Sequence, residues 1–249
     1  VVGGLGKYGD LMKVYKFGDI PVGVETRGVY FNDNCINYLA EKAKPEFVIK
    51  ATDKDLEFEQ MQSEDDQTYP KSYLEFIALY RKFCEKAIDY GVILVHGSVL
   101  EIDGKAYMFS APSGTGKSTH AKLWRDCFGD RVTMINDDKP LIKFREDGIY
   151  AYGTPWDGKH HLSTNMKAKL AGICFLHQAK ENHIEKATKE NAVKHLMNQV
   201  YRPRDIMAMS KTLEYVDKIV NEIPIYEMGC NISKEAAAVA YDAMKDGTL

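Results

Sequence analysis

The chain predicts an α/β fold whose mixed sheet carries a phosphate-binding loop, with a small β-rich α+β appendage before it. Three observations predict this. Apolar runs of strand length alternate with amphipathic helical stretches from Val92 onward. The segment FSAPSGTGKSTHAKLW, Phe109 to Trp124, sets a glycine-rich loop between a strand and a helix. Asp103-Gly104 joins the first two core runs, Val92 to Ile102 and Lys105 to Ser110. An Asp-Gly pair there marks a hairpin, so these two strands are antiparallel and the sheet is mixed.

The elements follow in order. Met12 to Phe17, Val22 to Tyr30, Glu46 to Ala51 and Leu56 to Phe58 are strand-like, with a short helix over Asn34 to Lys42. Gln60 to Thr68 is polar and acidic and reads as a linker. The expected division is therefore 1–69 for the β-rich subdomain and 70–249 for the core. Lys71 to Tyr90 is a long amphipathic helix with Leu74, Ile77, Ala78, Leu79, Phe83 and Ile88 on its apolar face. After the loop, a helix begins near Lys117 and a short strand covers Val132 to Ile135. A hairpin follows, Leu141 to Phe144 and Ile149 to Tyr152, turning at Asp147-Gly148. Leu170 to Leu176 and Ile184 to Lys186 are further strands. Helices over Glu190 to Val200, Asp205 to Asn221 and Ser233 to Asp246 close the chain, with a strand at Ile223 to Met228.

Composition bounds the function. At 249 residues the chain can bury a large core, and 45% hydrophobic with 28% charged residues suits a soluble globular protein. A net charge of -3 gives no support to nucleic-acid binding. No apolar run approaches the ~20 residues of a membrane span. The chain starts Val1-Val2-Gly3-Gly4 without Met, so upstream residues are expected, and it shows no signal-peptide pattern. Cys35, Cys84, Cys127, Cys174 and Cys230 are scattered without a CxxC, which suits a reducing cytoplasm.

The loop is a Walker A–type phosphate cradle, read over Ser113, Gly114, Thr115, Gly116, Lys117, Ser118 and Thr119. Gly114 and Gly116 let backbone N–H groups turn inward. The helix that follows faces the anion with its positive end. Lys117 would reach the β- and γ-phosphates, and Ser118 would offer its hydroxyl to Mg²⁺. The pattern GxxxxGK(S/T) has Ala111 in place of its first Gly, which is tolerable while φ stays negative. The acids Asp137 and Asp138 close the strand after the loop's helix, where open α/β sheets bind ligands. One carboxylate can serve Mg²⁺ and the other can accept a proton from a hydroxyl, although a plain exposed turn also suits two aspartates.

In order and spacing, ILVHGSVLEIDGKAYMFSAPSGTGKS followed by NDD resembles HPr kinase/phosphorylase and, more distantly, the ATP-dependent phosphoenolpyruvate carboxykinases. The resemblance covers Ile93 to Leu176. It implies a P-loop core of that type, with Lys117 and the loop glycines on phosphates and Ser118 and Asp138 near the metal. It further implies Asp137 as the base, with His96 close to that acid; the two aspartates could exchange roles. Without it, His96 in an apolar run reads as a core residue. The family's downstream metal-binding glutamate has no counterpart in YGTPWDGKHHLSTN, Tyr152 to Asn165.

That stretch reads either as a substrate loop or as a solvated loop that its one Trp anchors. Trp156, Asp157, Lys159 and His160 suit capture of a phosphorylated or carboxylated partner, and Asp157 could replace the missing acid. A second basic point, Arg202 and Arg204, could clamp charge. The function expected is ATP-dependent phosphoryl transfer, from ATP or another donor with Mg²⁺, to a hydroxyl of a peptide, protein or small molecule. A nucleotide-dependent peptide-binding module and a carboxykinase-like enzyme are the alternatives. No nucleic-acid or membrane partner is expected. The family's rings leave a homo-oligomer open.

Overall fold

The structure is a computed structural model that describes residues 12–63, 67–112 and 114–246. Ser113, expected in the phosphate cradle, lies outside the described residues. No described helix is long and apolar enough to cross a membrane. The chain divides into two compact units, Val1–Ala87 and Ile88–Leu249.

In the first unit, β1 (Lys13–Phe17) and β2 (Ile20–Glu25) form a hairpin, and β3 (Phe47–Lys50) lies parallel to β2. Gly18 and Asp19 both take positive φ, the tight-turn geometry that matches strand twist. Around this sheet lie α1 (Val29–Asn34), α2 (Asp53–Met61) and α3 (Lys71–Ala87). The division falls after Ala87 rather than after residue 69, because α3 supplies the N-terminal core. Phe83 sits 5.4 Å from Phe17 and Phe76 5.7 Å from Phe31.

Three expectations for this unit are corrected. Val22 to Tyr30 is not one strand, since β2 ends at Glu25 and α1 starts at Val29; helix expected over Asn34 to Lys42 shrinks to one turn at Ile36–Tyr38. Leu56 to Phe58 is helical, not extended. Thr52 caps α2 in a capping box, accepting from Asp55 N while the Asp55 carboxylate accepts from Thr52 N. That reciprocal pair outweighs the strand character of a three-residue apolar run.

Asp55 also anchors an ion cluster between α2 and α3. Arg81 contacts Asp55 at 3.0 Å and Glu59 at 2.6 Å, and Lys82 contacts Asp55 at 3.0 Å. Burial opposes ionisation of Asp55, but hydrogen bonds from Thr52, Lys82 and Arg81 outweigh it and hold its carboxyl below the usual range. The Asp55 and Glu59 side chains are only 14% and 10% exposed, so losing their cation is costly. Arg81→Ala should cost about 3 kcal/mol in chemical denaturation, and Arg81→Lys should recover part of it; a cost below about 1 kcal/mol would show a solvated network.

The second unit is a nine-stranded mixed sheet. Its strands are β4 (Val92–Leu94), β5 (Ser98–Ile102), β6 (Lys105–Ser110), β7 (Val132–Asn136), β8 (Leu141–Arg145), β9 (Gly148–Tyr152), β10 (Lys167–Gln178), β11 (His183–Lys186) and β12 (Ile225–Cys230). The long β10 runs parallel to β6 and β12 and antiparallel to β9. β5 and β6 pair antiparallel across Asp103-Gly104, both at positive φ, as the turn chemistry predicts. The β8–β9 hairpin also forms as expected.

Alternation along the strands builds a core on each face. On one, Val99, Met108, Ile135 and Ile173 meet Leu196 of α5 (Lys189–Gln199) and Val216 and Ile219 of α6 (Ile206–Glu222). On the other, Leu100, Tyr107, Phe109 and Cys174 meet Trp124 of α4 (Lys117–Phe128) and Ala236 and Ala240 of α7 (Lys234–Met244). Residues adjacent in sequence, Tyr107 and Met108 or Ile173 and Cys174, go to opposite faces, as period two requires.

One strand expected over Val92 to Ile102 is broken. β4 pairs with β8, while β5 pairs with β6 and β7. The break falls at His96-Gly97. A Cβ on Gly97 would stand 2.8 Å from the Phe109 carbonyl, so only glycine fits. His96 N bonds Gln199 O at 2.8 Å and Gly97 N bonds Asp138 O at 3.1 Å. The break lifts His96 off the sheet face and toward the acids.

Candidate functional site

The loop from Ala111 to Ser118 joins β6 to α4. Gly114 and Gly116 take φ of 77° and 117°, and a Cβ at either would meet nothing within 4 Å. Their requirement is conformational, not spatial. Ala111, buried, is not among the residues with positive φ, so the lost first glycine is tolerated. Gly116 is the N-cap of α4; no side chain caps it and no acid lies in the first turn. The first-turn N–H groups and the positive helix end are therefore uncompensated at the loop. Lys117 Nζ rests on Ala111 O at 2.8 Å. Burial depresses its pKa, opposed by the charges of Asp138 and Asp137.

The acids stand at the end of β7. Asn136 is fully buried, and its Oδ1 accepts from Asp138 N at 2.9 Å and Lys139 N at 2.6 Å. This side-chain turn fixes the backbone of the pair. The Asn136 amide donates to Thr154 Oγ1 at 2.9 Å, and that hydroxyl lies 2.9 Å from Lys139 O. Asp137 is buried and accepts from Ser98 Oγ at 2.9 Å. Asp138 is more open. Its Oδ1 lies 3.0 Å from His96 Nδ1 and its Oδ2 2.9 Å from Lys139 Nζ. Burial opposes its ionisation, but the His96 hydrogen bond and the Lys139 charge prevail and hold the carboxyl at about 2. His96 thus partners Asp138, not Asp137 as the resemblance implied, because Gly97 docks on the Asp138 carbonyl.

The loop after β9 closes over these groups. Gly153 threads between Thr164 O and Ile135 O, where a Cβ would stand 1.8 Å and 2.7 Å away. Trp156 is buried, anchors the loop and does not line the cavity of the acids. Gly158 abuts the acid, its ideal Cβ position 3.2 Å from Asp137 Oδ2. Asp157 turns back into its own loop, 3.0 Å from His161 Nδ1 and 3.3 Å from Ser163 N. It does not line the acid cavity, so the structure does not bring it to the place of the missing glutamate.

A cavity of about 630 Å³ gathers the rest. Gly114, Gly116, Lys117, Ser118 and Thr119 line it from the loop and α4, and Asp137, Asp138 and His96 from the sheet. Gly158, Lys159 and His160 close it. Arg202 and Arg204 are exposed, and neither lines it. Thr115 lines a neighbouring cavity instead.

Sequence reasoning missed Asn136, Ser98, Thr154 and Lys139, which set the acids, and Lys122, which adds a charge to the cavity wall. Asn before a polar pair is an Asx-turn signal that could have found the first. Among the described residues no group of three or more His, Cys, Asp or Glu is placed to hold a metal ion. The cavity instead joins cationic and carboxylate groups with a hydroxyl, an arrangement suited to an anionic ligand and a hard cation shared with it.

No family model and no curated protein sequence matches the chain. Among solved structures it is similar to the HPr(Ser) kinase/phosphatase from Coxiella burnetii, with a TM-score of 0.37 and 10% identity over 62% of this chain and 89% of that chain. The match bears the name of the family that the motif order resembles.

Proposed function

We propose that the chain is a phosphotransferase that moves the terminal phosphoryl group of ATP, or of another phosphoryl donor, to a hydroxyl acceptor. The observation that carries this is one cavity lined by Lys117, Ser118 and Thr119 on one side and by Asp137, Asp138 and His96 on another. A donor site and a proton-accepting site thereby share one space, as in-line transfer requires.

Lys117 leaves the Ala111 carbonyl for the transferring phosphoryl oxygens, and the uncapped α4 N-terminus holds the remaining charge. Ser118 and one aspartate would hold Mg²⁺, with phosphate and water completing its shell. That aspartate is better read as Asp137. The Lys139 ammonium beside Asp138 opposes a metal ion there, whereas Asp137 accepts from the neutral Ser98 hydroxyl. Asp138 then receives the hydroxyl proton and His96, half-exposed beside it, offers the onward path to solvent. This exchanges the two aspartate roles relative to the first expectation.

Mg·ATP should raise the melting temperature of the wild-type chain in proportion to its binding. Lys117→Met should weaken ATP about 10- to 100-fold, the value of charge-assisted contacts to phosphate. Equal stabilisation of both proteins by ATP would remove Lys117 and the loop from the proposal.

A further inference from the structure

Two exposed histidines meet where β10, β11 and β12 run side by side. Register sets His177 of β10 and His183 of β11 on either side of Gly229 of β12. Neighbouring strands lie about 4.8 Å apart, so the two backbones stand about 10 Å from each other. Their rings nevertheless come together, with centroids 5.6 Å apart. Gly229 permits this. A Cβ there would stand 2.1 Å from His183 Cε1 and 2.8 Å from each nitrogen of that ring, so the imidazole lies on bare backbone.

His183 Nδ1 lies 3.2 Å from Glu181 O. An imidazole donates its N–H to a carbonyl there, which leaves the lone pair on Nε2 for another partner. Among the described residues no hydrogen bond engages the His177 ring. A third imidazole close by, His195 of α5, is already committed. Its Nε2 lies 2.8 Å from Glu227 Oε1 and its ring stacks on Phe175 at 4.7 Å. Glu227 stands two residues before Gly229 on the same face of β12, opposite Glu185 of β11. Burial opposes its ionisation, but hydrogen bonds from Asn191 and His195 outweigh it and hold the carboxyl below the usual range. The charge lies within electrostatic reach of His177 and favours a cation beside the imidazole pair.

The spacing of the rings suits a shared ion. With metal–nitrogen bonds of about 2.1 Å at a tetrahedral angle, two imidazoles hold their centroids about 5 Å apart. We propose that His177 and His183 form a two-imidazole site for a transition-metal ion of the Zn²⁺ and Ni²⁺ class, with water completing its shell. Among the described residues β11 pairs with β12 alone, so the ion ties this strand across Gly229 to β10. It is a different ion from one held by the carboxylates and hydroxyl of the acid cavity, because oxygen donors suit a hard cation and imidazole a softer one.

Calorimetric titration of the untagged full chain with NiCl₂ and with ZnCl₂ tests the site. One ion of either metal should bind between the two rings, and excess Mg²⁺ should not displace it. His177→Gln and His183→Gln, both at exposed positions, should each weaken that binding at least about tenfold, while His161→Gln leaves it unchanged. The ion should raise the melting temperature of the wild type and of His161→Gln, and of neither other variant. Binding that persists at wild-type affinity in both His177→Gln and His183→Gln, or no binding by the wild type, would overturn the proposal.

Discussion

Asp138→Asn should lower the rate of phosphoryl transfer by about 10²- to 10⁴-fold, the usual value of a positioned general base, while ATP binding stays within about threefold of wild type. The asparagine keeps the shape and the Lys139 and His96 neighbours but cannot accept the proton. His96→Asn should give a smaller loss, because the ring only carries the proton onward. The same carboxyl has a stability signature. Its folded value of about 2 lies below the ordinary 3.8. Folding therefore favours the ionised form, and the contribution is full above about pH 4 and lost as pH falls toward 2. The shift corresponds to roughly 2 kcal/mol, and it should vanish from the acid-denaturation profile of Asp138→Asn. Transfer at the wild-type rate in that variant would show that the proton goes elsewhere, and Asp137→Asn would then be the one to lose transfer.

The second large effect is on the fold of the site. Gly153→Ala should cost more than about 4 kcal/mol, or leave no folded protein, because the new methyl would meet two backbone carbonyls that no side-chain rotation can move. Gly153 N bonds Met166 O at 2.9 Å and Thr164 N bonds Ile135 O at 3.2 Å, so the clash also unpins the loop from β7. Gly158→Ala makes the contrast. Its methyl would meet the Asp137 carboxylate at 3.2 Å, a side chain that can yield, so stability should change by about 1 kcal/mol or less while transfer falls. Chemical denaturation of the two variants side by side checks this; a Gly153→Ala protein within about 1 kcal/mol of wild type would show that the loop is not clamped as described.

What was legible in the sequence was local. The Asp-Gly turns placed both hairpins, and GTGKST placed the loop and the start of α4, because those conformations depend on residues within one turn of each other. Leu56 to Phe58 was misread because three apolar residues fit either period, and the decisive signal was the Thr52–Asp55 cap upstream. The break at His96-Gly97 was hidden because its cause, the Phe109 carbonyl and the Met108 side chain, belongs to another strand. For the same reason the partner of His96 could not be chosen between neighbouring aspartates. Ser98 and Thr154 look in sequence like ordinary polar residues of a strand and a loop; only their burial beside the acids gives them a role. Trp156, Asp157, Arg202 and Arg204 have the right chemistry for a substrate loop, but side-chain direction is set by packing that one sequence does not display.

We propose that a donor phosphate and a proton acceptor meet in one cavity. It is tested most directly by incubating the chain with ATP labelled at its terminal phosphate, Mg²⁺ and a library of hydroxyl-bearing peptides and small molecules, then following the label by mass spectrometry. Label is expected on an acceptor hydroxyl with the wild type, and none with Asp138→Asn although that variant still binds ATP. Tight ATP binding with no label on any hydroxyl, and equal ATP turnover in wild type and Asp138→Asn, would contradict it and leave a nucleotide-binding module in its place.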